Sequence, residues 1–217
     1  MEIQNYQPNV EKMYTLLRGF FDGAGMIQSL KALQFARDVH KDQKRKNGVP
    51  YIVHPLSMAC YAKAIHIRSD DLFATILLHD VVEDCHIPVQ ALPVNDNVKF
   101  AVECMTINPL PNESKIECKK RYFRELLRSR EAVICKALDR YDNLTDMPFA
   151  LKDDAVGKNA AETEILLLPM LKEAKEKWIE CSDILFALRT NIRRANDFLK
   201  LKYQEDYERW YSQYTDN

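Results

Sequence analysis

Glycine is scarce along this chain, and that scarcity constrains the fold more than any other feature of the sequence. Only five glycines occur among 217 residues, and none follows Gly157. Runs that alternate apolar and polar residues, as half-buried strands do, are hard to find, whereas apolar residues recur at helical spacing. The sequence therefore predicts an all-α fold.

The size and charge of the chain limit both its domain organisation and its partners. A chain of 217 residues with 47% apolar and 29% charged residues can bury a full core, and no linker, repeat or low-complexity segment divides it. We expect a single domain over residues 1–217. The net charge of -1 argues against general nucleic-acid binding, which needs a broad excess of Lys and Arg.

The cysteines and the apolar segments predict a location. The six cysteines lack the close paired spacing of zinc sites and lie mostly in apolar helical segments, which favours reduced thiols. The sequence shows no basic and apolar leader and no apolar run of membrane-spanning length. We therefore expect a cytoplasmic protein that does not enter a membrane.

Capping residues and prolines predict the helix boundaries. Ser29 and Ser69 are expected to be N-caps, and Pro55 is expected to be the first residue of its helix. The predicted helices cover about residues 9–21, 29–44, 55–66, 69–84, 95–105, 113–128, 131–147, 158–176 and 177–211. The last of these carries an apolar stripe that is typical of a core-facing helix.

The segment from Ile76 to Asp84 is the first candidate for chemistry, because polar residues interrupt an apolar run. His79 and Asp80 are adjacent, and each is followed four residues later by a carboxylate, Glu83 or Asp84. In one continuous helix, residues four apart lie one turn above each other on the same face. His79 and Asp80 are then candidate ligands of one metal ion, with the acidic pair in the same groove. A His-Asp dipeptide alone often arises by chance, so this segment needs support from elsewhere.

Two further residues offer that support. His54 stands between Pro50 and Pro55, whose restricted backbones predict a rigid helix start that holds the imidazole still. Asp139 follows directly on an apolar half-helix, so its carboxylate is expected to be partly buried and to need a cation. A salt bridge to a nearby arginine would satisfy Asp139 as well as a metal would. His40, near the inner face of its helix, is expected to pack or to support a ligand.

His54, His79, Asp80 and Asp139 together form a candidate metal site. Two imidazoles and two carboxylates suit a divalent first-row ion, and an octahedral shell would leave room for water and a substrate oxygen. Glu83 and Asp84 could then orient that water or move its proton. The set indicates metal-assisted hydrolysis of a phosphate ester or anhydride.

These residues also resemble a known family. The order His…His-Asp…Asp is that of the HD superfamily of metal-dependent phosphohydrolases. The fuller pattern over about residues 25–175 resembles the hydrolase domain of the RelA/SpoT homologues, nearest in extent to the stand-alone small alarmone hydrolases. The matching residues are Ala36–His40, Gln43, Arg45-Lys46, Gly48, Pro50-Tyr51-Ile52, His54-Pro55, Leu77–Asp80, Val82-Glu83-Asp84, Lys136–Asp139, Asn143-Leu144, Glu162-Thr163, Leu166 and Pro169.

The resemblance implies an HD-type helical bundle with a core over about residues 25–175 and a C-terminal helical extension over 176–217. It implies a Mn²⁺-dependent enzyme that removes the 3′-pyrophosphate of guanosine tetra- or pentaphosphate. The residues carried over are the metal ligands His54, His79, Asp80 and Asp139, the catalytic pair Glu83 and Asp84, and the substrate-binding residues Arg45, Lys46 and Asn143. The sequence Arg140-Tyr141-Asp142 departs from the family's usual Lys-Leu-Tyr type, which leaves base preference open.

Other functions stay open on the sequence alone. The same metal centre would serve an HD phosphohydrolase of another substrate, such as NADPH, an adenosine alarmone or a phosphorylated tRNA end. A binding protein, such as an antitoxin that contacts an alarmone synthetase, is a different class, although an intact ligand set and acidic pair count against it. The sequence gives no support for or against an oligomer.

Overall fold

The structure is a computed structural model that describes residues 9–45 and 48–216. The described chain is helical and contains no β-strand apart from an isolated bridge between Lys44 and Pro50, which confirms the predicted all-α class. The helices are α1 (Val10–Gly23), α2 (Ile27–Val39), α3 (Val53–Ala64), α4 (Asp70–Leu78), α5 (Val81–Asp84), α6 (Asp96–Met105), α7 (Lys115–Leu126), α8 (Arg130–Ala150), α9 (Asp153–Glu162), α10 (Leu168–Lys177), α11 (Ser182–Lys202) and α12 (Gln204–Thr215).

Helix α4 is the centre of the core. Every residue from Leu72 to Leu78 is buried, and the helix packs against α2, α3, α6 and α8. A helix that is apolar on all sides must be surrounded by other elements. Ser69 caps it by accepting the Leu72 N–H at 3.2 Å, as predicted. The surrounding helices therefore bring their own polar residues to the C-terminal end of α4.

Ser29 does not cap a helix, contrary to the prediction. Helix α2 begins two residues earlier, after Met26, which provides no side-chain cap. The carboxylate of Asp70 instead accepts the backbone N–H groups of Gln28 and Ser29 at 3.0 and 2.8 Å, and the Ser29 hydroxyl at 2.6 Å. An acceptor from a neighbouring helix satisfies the free amides of a helix start as well as a local cap does. Helix α2 also ends at Val39, short of the predicted Lys44.

The C-terminal part differs from the two long helices that were predicted. A π-helical turn over Thr163–Leu167 joins α9 to α10, so the helical path from 153 to 177 is widened in its middle. The predicted helix over 177–211 is wrong, because the chain breaks at Tyr203 between α11 and α12. Buried residues of α11 join the main core; they are Leu185, Leu188, Ile192 and Leu199.

The C-terminal helix α12 packs across α9. Asp154 of α9 accepts hydrogen bonds from Arg209 at 2.6 Å and from the Trp210 indole at 2.7 Å. The backbones meet at Gly157, where an added Cβ would lie 2.4 Å from Asp206 Cβ and 2.7 Å from Asp206 C. This close approach requires a residue without a side chain.

Gly157→Ala is therefore expected to lower the free energy of unfolding by about 1–3 kcal/mol, because the added methyl must displace the α12 backbone. Urea titration followed by tryptophan fluorescence measures this change. Gly19→Ala is the matched control, since that helical glycine has no atom within 4 Å of the new Cβ and should gain up to about 1 kcal/mol. Equal stability of Gly157→Ala and the wild-type chain would contradict the close contact.

All six cysteines carry free thiols, as predicted. Among residues 9–45 and 48–216, no helix combines the length and the apolar character that crossing a membrane requires.

Candidate metal centre

His79 and Asp80 lie at the junction of two helices. The sequence predicted one helix through Asp84, but α4 ends at Leu78 and the four-residue α5 begins at Val81. The buried apolar run of α4 carries the His79 ring into the interior, where the residue is 3% exposed. Asp80 stays partly open, with 28% of its side chain exposed. The break therefore separates the ligand pair from the helical turn that holds the acidic pair.

The His79 ring has one nitrogen bound and one available. Its Nδ1 lies 2.9 Å from the carbonyl oxygen of Ile76, which can only accept, so Nδ1 carries the proton. Its Nε2 is buried without a hydrogen-bond partner, although Asp80 Oδ2 lies 3.0 Å away. A buried nitrogen lone pair beside a carboxylate is what a metal ion would satisfy.

His54 likewise has its Nδ1 bound to an acceptor and its Nε2 facing the cluster. It lies in the first turn of α3, which begins at Val53, so Pro55 is the third residue of the helix and not the first as predicted. Its Nδ1 is 2.6 Å from Asp142 Oδ2, while its Nε2 lies 3.3 Å from Asp139 Oδ1 and 3.9 Å from Asp80 Oδ2. Ligand atoms of His54, His79 and Asp80 all lie within 4.8 Å of one another.

Asp139 completes the cluster from α8. The residue is 7% exposed, as the apolar half-helix before it predicted. Its Oδ1 faces His54 and accepts from Asn143 Nδ2, and its Oδ2 accepts from Lys136 Nζ at 2.7 Å. The buried carboxylate is thus paired with a lysine instead of the arginine considered in the sequence, and one oxygen still faces the histidines.

The charges of the cluster favour a cation. Burial lowers the pKa of His54, but hydrogen bonds to Asp139 and Asp142 outweigh it and raise that pKa to about 9. Burial raises the pKa of Asp80, yet the neighbouring His79 holds it below its ordinary value. The carboxylates of the cluster therefore favour positive charge beside them. A divalent ion supplies such charge, so the donor set and its charge fit a metal.

Tyr51 supports the open side of Asp80. Its hydroxyl donates to Asp80 Oδ2, and the negative charges of Asp80 and Asp84 add to burial in raising the pKa of Tyr51. The His40 ring stacks on Tyr51 with centroids 4.7 Å apart, and His40 Nδ1 lies 2.6 Å from Gln43 Oε1. His40 therefore packs behind the site and is not placed as a ligand, as predicted.

Glu83 and Asp84 lie at the surface in α5, and they face different neighbours. The Glu83 carboxylate accepts the backbone N–H of Ile107, in the loop after α6. Asp84 lies on the side of Tyr51, with its carbonyl oxygen 3.2 Å from Gln43 Nε2. The break between α4 and α5 changes the helical register expected from one continuous helix, and a groove shared by this acidic pair and the ligands stays a prediction.

Arg45 and Asn143 meet beside the cluster. Arg45 Nη2 donates to Asn143 Oδ1 at 2.8 Å, and Arg45 Nη1 lies 3.3 Å from Asp142 and 3.2 Å from Asp146. A cavity of about 440 Å³ opens here; its lining includes Lys44, Arg45, Tyr51, Asn143, Asp146, Met147 and Asn159. Lys46, the other predicted substrate-binding residue, lies outside the described residues.

Three residues in contact with the cluster had no role in the sequence-based site: Tyr51, Lys136 and Asp142. Helical spacing was the signal for two of them. Lys136 and Asp142 stand three residues before and after Asp139, so all three share a face of α8. The pairing of Asp142 with His54 depends on how α3 packs against α8, which spacing alone does not predict.

Comparison with known proteins gives one family match. The HD domain family matches residues 32–164, which include all four predicted ligands. Among curated proteins, the chain is 30% identical over 166 residues to the guanosine-3′,5′-bis(diphosphate) 3′-pyrophosphohydrolase of Aquifex aeolicus. The aligned region covers 74% of this chain and 23% of that protein.

Two other relatives are similar to the same extent. The chain is 29% identical over 167 residues to the bifunctional (p)ppGpp synthase/hydrolase SpoT of Escherichia coli strain K12, covering 74% of this chain and 24% of that protein. It is 29% identical over 189 residues to a probable GTP pyrophosphokinase of Mycobacterium leprae, covering 83% of this chain and 24% of that protein. The chain thus spans about a quarter of the length of these relatives.

Proposed function

This chain belongs to the HD domain family, and from that premise we propose that it hydrolyses the 3′-pyrophosphate of guanosine tetra- or pentaphosphate with the help of a divalent metal ion. The family match confirms the resemblance drawn from the sequence. The observation that carries the proposal is the pair of buried histidines. Each holds its Nδ1 against an oxygen acceptor, so the two Nε2 atoms are available beside Asp80.

The proposed ion is Mn²⁺, held by His54, His79, Asp80 and Asp139. Mixed imidazole and carboxylate donors suit Mn²⁺ and its first-row neighbours. When bound, such an ion polarises a phosphoryl oxygen and makes a water molecule acidic enough to attack phosphorus near neutral pH. Lys136 and Tyr51 fix the orientation of Asp139 and Asp80, which keeps the oxygens of both carboxylates directed at the histidines.

The proposed substrate enters the cavity beside the ligands. A volume of about 440 Å³ lies in the range of small-molecule sites. Lys44 and Arg45 line it, and a highly charged nucleotide would exchange the contacts of Arg45 with Asp142 and Asp146 for contacts with phosphate. Arg45, Lys46 and Asn143 are the proposed substrate-binding residues. Names of the relatives given above support a guanosine polyphosphate.

In the proposed reaction, water adds to the phosphorus attached to the 3′ oxygen. The bond between phosphorus and that oxygen breaks, and the oxygen takes up a proton. The products are pyrophosphate and GDP or GTP. Asp84 and Glu83 are the proposed groups that accept and deliver these protons, because both are exposed carboxylates adjoining the ligands.

Glu83→Gln and Asp84→Asn are each expected to lower kcat by about 100-fold while Mn²⁺ affinity is unchanged. The reason is that no described ion pair joins either carboxylate to a histidine of the cluster, whereas Asp80 and Asp139 each pair with one. Steady-state kinetics and calorimetric titration with Mn²⁺ separate the two effects. Glu173→Gln, an exposed carboxylate of α10, is the control. A parallel loss of metal affinity would assign these residues to the ligand set instead.

The proposed function is tested by incubating the purified chain with a nucleotide panel and Mn²⁺, with and without a chelator. The panel contains guanosine tetraphosphate, an adenosine alarmone, NADPH and a 3′-phosphorylated RNA end. Release of pyrophosphate and GDP that stops on chelation and returns with Mn²⁺ is the expected result. Turnover of another member alone would overturn the substrate and keep the metal centre.

Two predictions from the sequence stay predictions. They are the cytoplasmic location and the division into a core over 25–175 and an extension over 176–217.

A further inference from the structure

We propose that Asp142 is a positioning residue, which holds His54 ready to bind the metal ion and joins that ligand to Arg45 at the nucleotide cavity. The proposal rests on the metal centre of the proposed function, but it does not depend on which nucleotide is hydrolysed. In this proposal, Asp142 has no direct contact with the reacting atoms or the ion. It acts through the two residues that its carboxylate binds.

Asp142 fixes the position of the proton on the His54 ring. A carboxylate only accepts, so the 2.6 Å contact of Asp142 Oδ2 with His54 Nδ1 places a proton on Nδ1. In the neutral ring, the lone pair is then on Nε2, which faces Asp139 and Asp80. A negatively charged acceptor at Nδ1 also makes Nε2 a better donor to a cation. Without this partner, the other tautomer and a rotated ring become accessible.

Helix α8 carries both carboxylates that contact the His54 ring. Asp139 and Asp142 are three residues apart, so both project from one face of the helix. They contact opposite nitrogens of the same imidazole, Asp139 at Nε2 and Asp142 at Nδ1. One rigid helix therefore presents a metal ligand and also fixes the ring of another. This arrangement sets the distance between the two ligands more firmly than separate elements would.

Asp142 also contacts Arg45, which lines the nucleotide cavity. The same Asp142 oxygen that accepts from His54 lies 3.3 Å from Arg45 Nη1, and the Asp142 side chain is only 22% exposed. Asp146 lies 3.2 Å from the same Arg45 nitrogen, with its side chain 42% exposed. Among the described ion pairs, Asp146 contacts Arg45 but neither histidine, so the two carboxylates share Arg45 and only Asp142 reaches a ligand. This difference provides a matched pair of variants.

The test is calorimetric titration of the full chain with Mn²⁺ alone. Asp142→Asn, which removes the charge and keeps the size, is expected to weaken Mn²⁺ binding about 10-fold, and Asp142→Ala about 100-fold. Asp146→Asn is expected to bind Mn²⁺ within about twofold of the wild-type affinity, because the contact between Asp142 and His54 is unchanged. This expectation holds even if the turnover of the variant changes. A thermal melt of each metal-free variant separates loss of binding from loss of folding.

The outcomes distinguish this inference from the function on which it rests. Equal Mn²⁺ affinity of Asp142→Asn, Asp142→Ala and wild-type protein overturns the inference and leaves the metal centre. Equal losses in Asp142→Asn and Asp146→Asn also overturn it, because the effect would then pass through Arg45. Absence of Mn²⁺ binding by the wild-type chain overturns both the inference and the proposed function.

Discussion

Asp80→Asn is expected to lower kcat/KM for the alarmone by about 10⁴-fold, because several kcal/mol of transition-state stabilisation depend on the bound ion. The Asp80 carboxylate lies 3.0 Å from His79 Nε2 and 3.9 Å from His54 Nε2, so it faces both available imidazole nitrogens. An amide keeps the size of the side chain but removes the negative charge that holds a cation. Pyrophosphate release and Mn²⁺ titration should therefore fail together.

The control for Asp80→Asn is Asp38→Asn, which removes an exposed carboxylate of α2 that contacts only Gln34 among the described hydrogen bonds. That variant should keep its metal affinity and its turnover. The Asp80 variant is expected to fold, since Asp80 is partly open and α4 is held by apolar contacts. If Asp80→Asn bound Mn²⁺ and turned over substrate as the wild-type chain does, the assignment of the metal centre would be wrong.

Glu162→Ala is expected to lower the free energy of unfolding by about 3–5 kcal/mol, because it leaves a buried arginine without its partner. Arg140 donates to Glu162 Oε1, and both side chains are 5% exposed. Lys119 Nζ lies 3.6 Å from Glu162 Oε2, and the Tyr214 hydroxyl of α12 donates to the same oxygen at 3.4 Å. Urea denaturation followed by circular dichroism measures the loss.

The neighbouring pair of Glu164 and Lys200 is the control, since Glu164→Ala removes a salt bridge of 3.1 Å between more exposed side chains. That loss should stay within about 1 kcal/mol. A double replacement, Arg140→Met with Glu162→Leu, should recover much of the stability, because no buried charge of this pair is left unpaired. A loss below about 1 kcal/mol in Glu162→Ala would show that the pair is not buried in solution.

The same ion pair gives the stability a pH dependence. Burial raises the pKa of Glu162, but Arg140 and Lys119 outweigh burial and lower that pKa below its ordinary value of 4.5. A carboxyl whose pKa is lower in the folded state stabilises the fold above its unfolded pKa and ceases to do so as the pH falls through its folded pKa. The difference between wild-type and Glu162→Ala protein should therefore be full at neutral pH and shrink in acid.

Much of the fold was predictable because local chemistry decides it. Scarce glycine and helical apolar spacing predicted the all-α class, and the starts of α4, α6 and α8 were close to the predicted residues. Ser29 and Tyr203 show where such prediction fails. Asp70 of another helix caps α2, and the break at Tyr203 lets α12 turn onto α9 at Gly157. Both features depend on neighbours that lie far away in the sequence.

The candidate site divides in the same way. Residue types and their order in the sequence predicted the four candidate ligands, because a carboxylate inside an apolar helix needs a cation or hydrogen bonds and imidazole is a common metal ligand. The pair of Lys136 and Asp139 also follows from spacing within α8, since the two residues are three apart. Only the tertiary structure decided that Asp139 and Asp142 face the two nitrogens of His54. Those contacts arise from the packing of α3 against α8, and no spacing within a single helix specifies them.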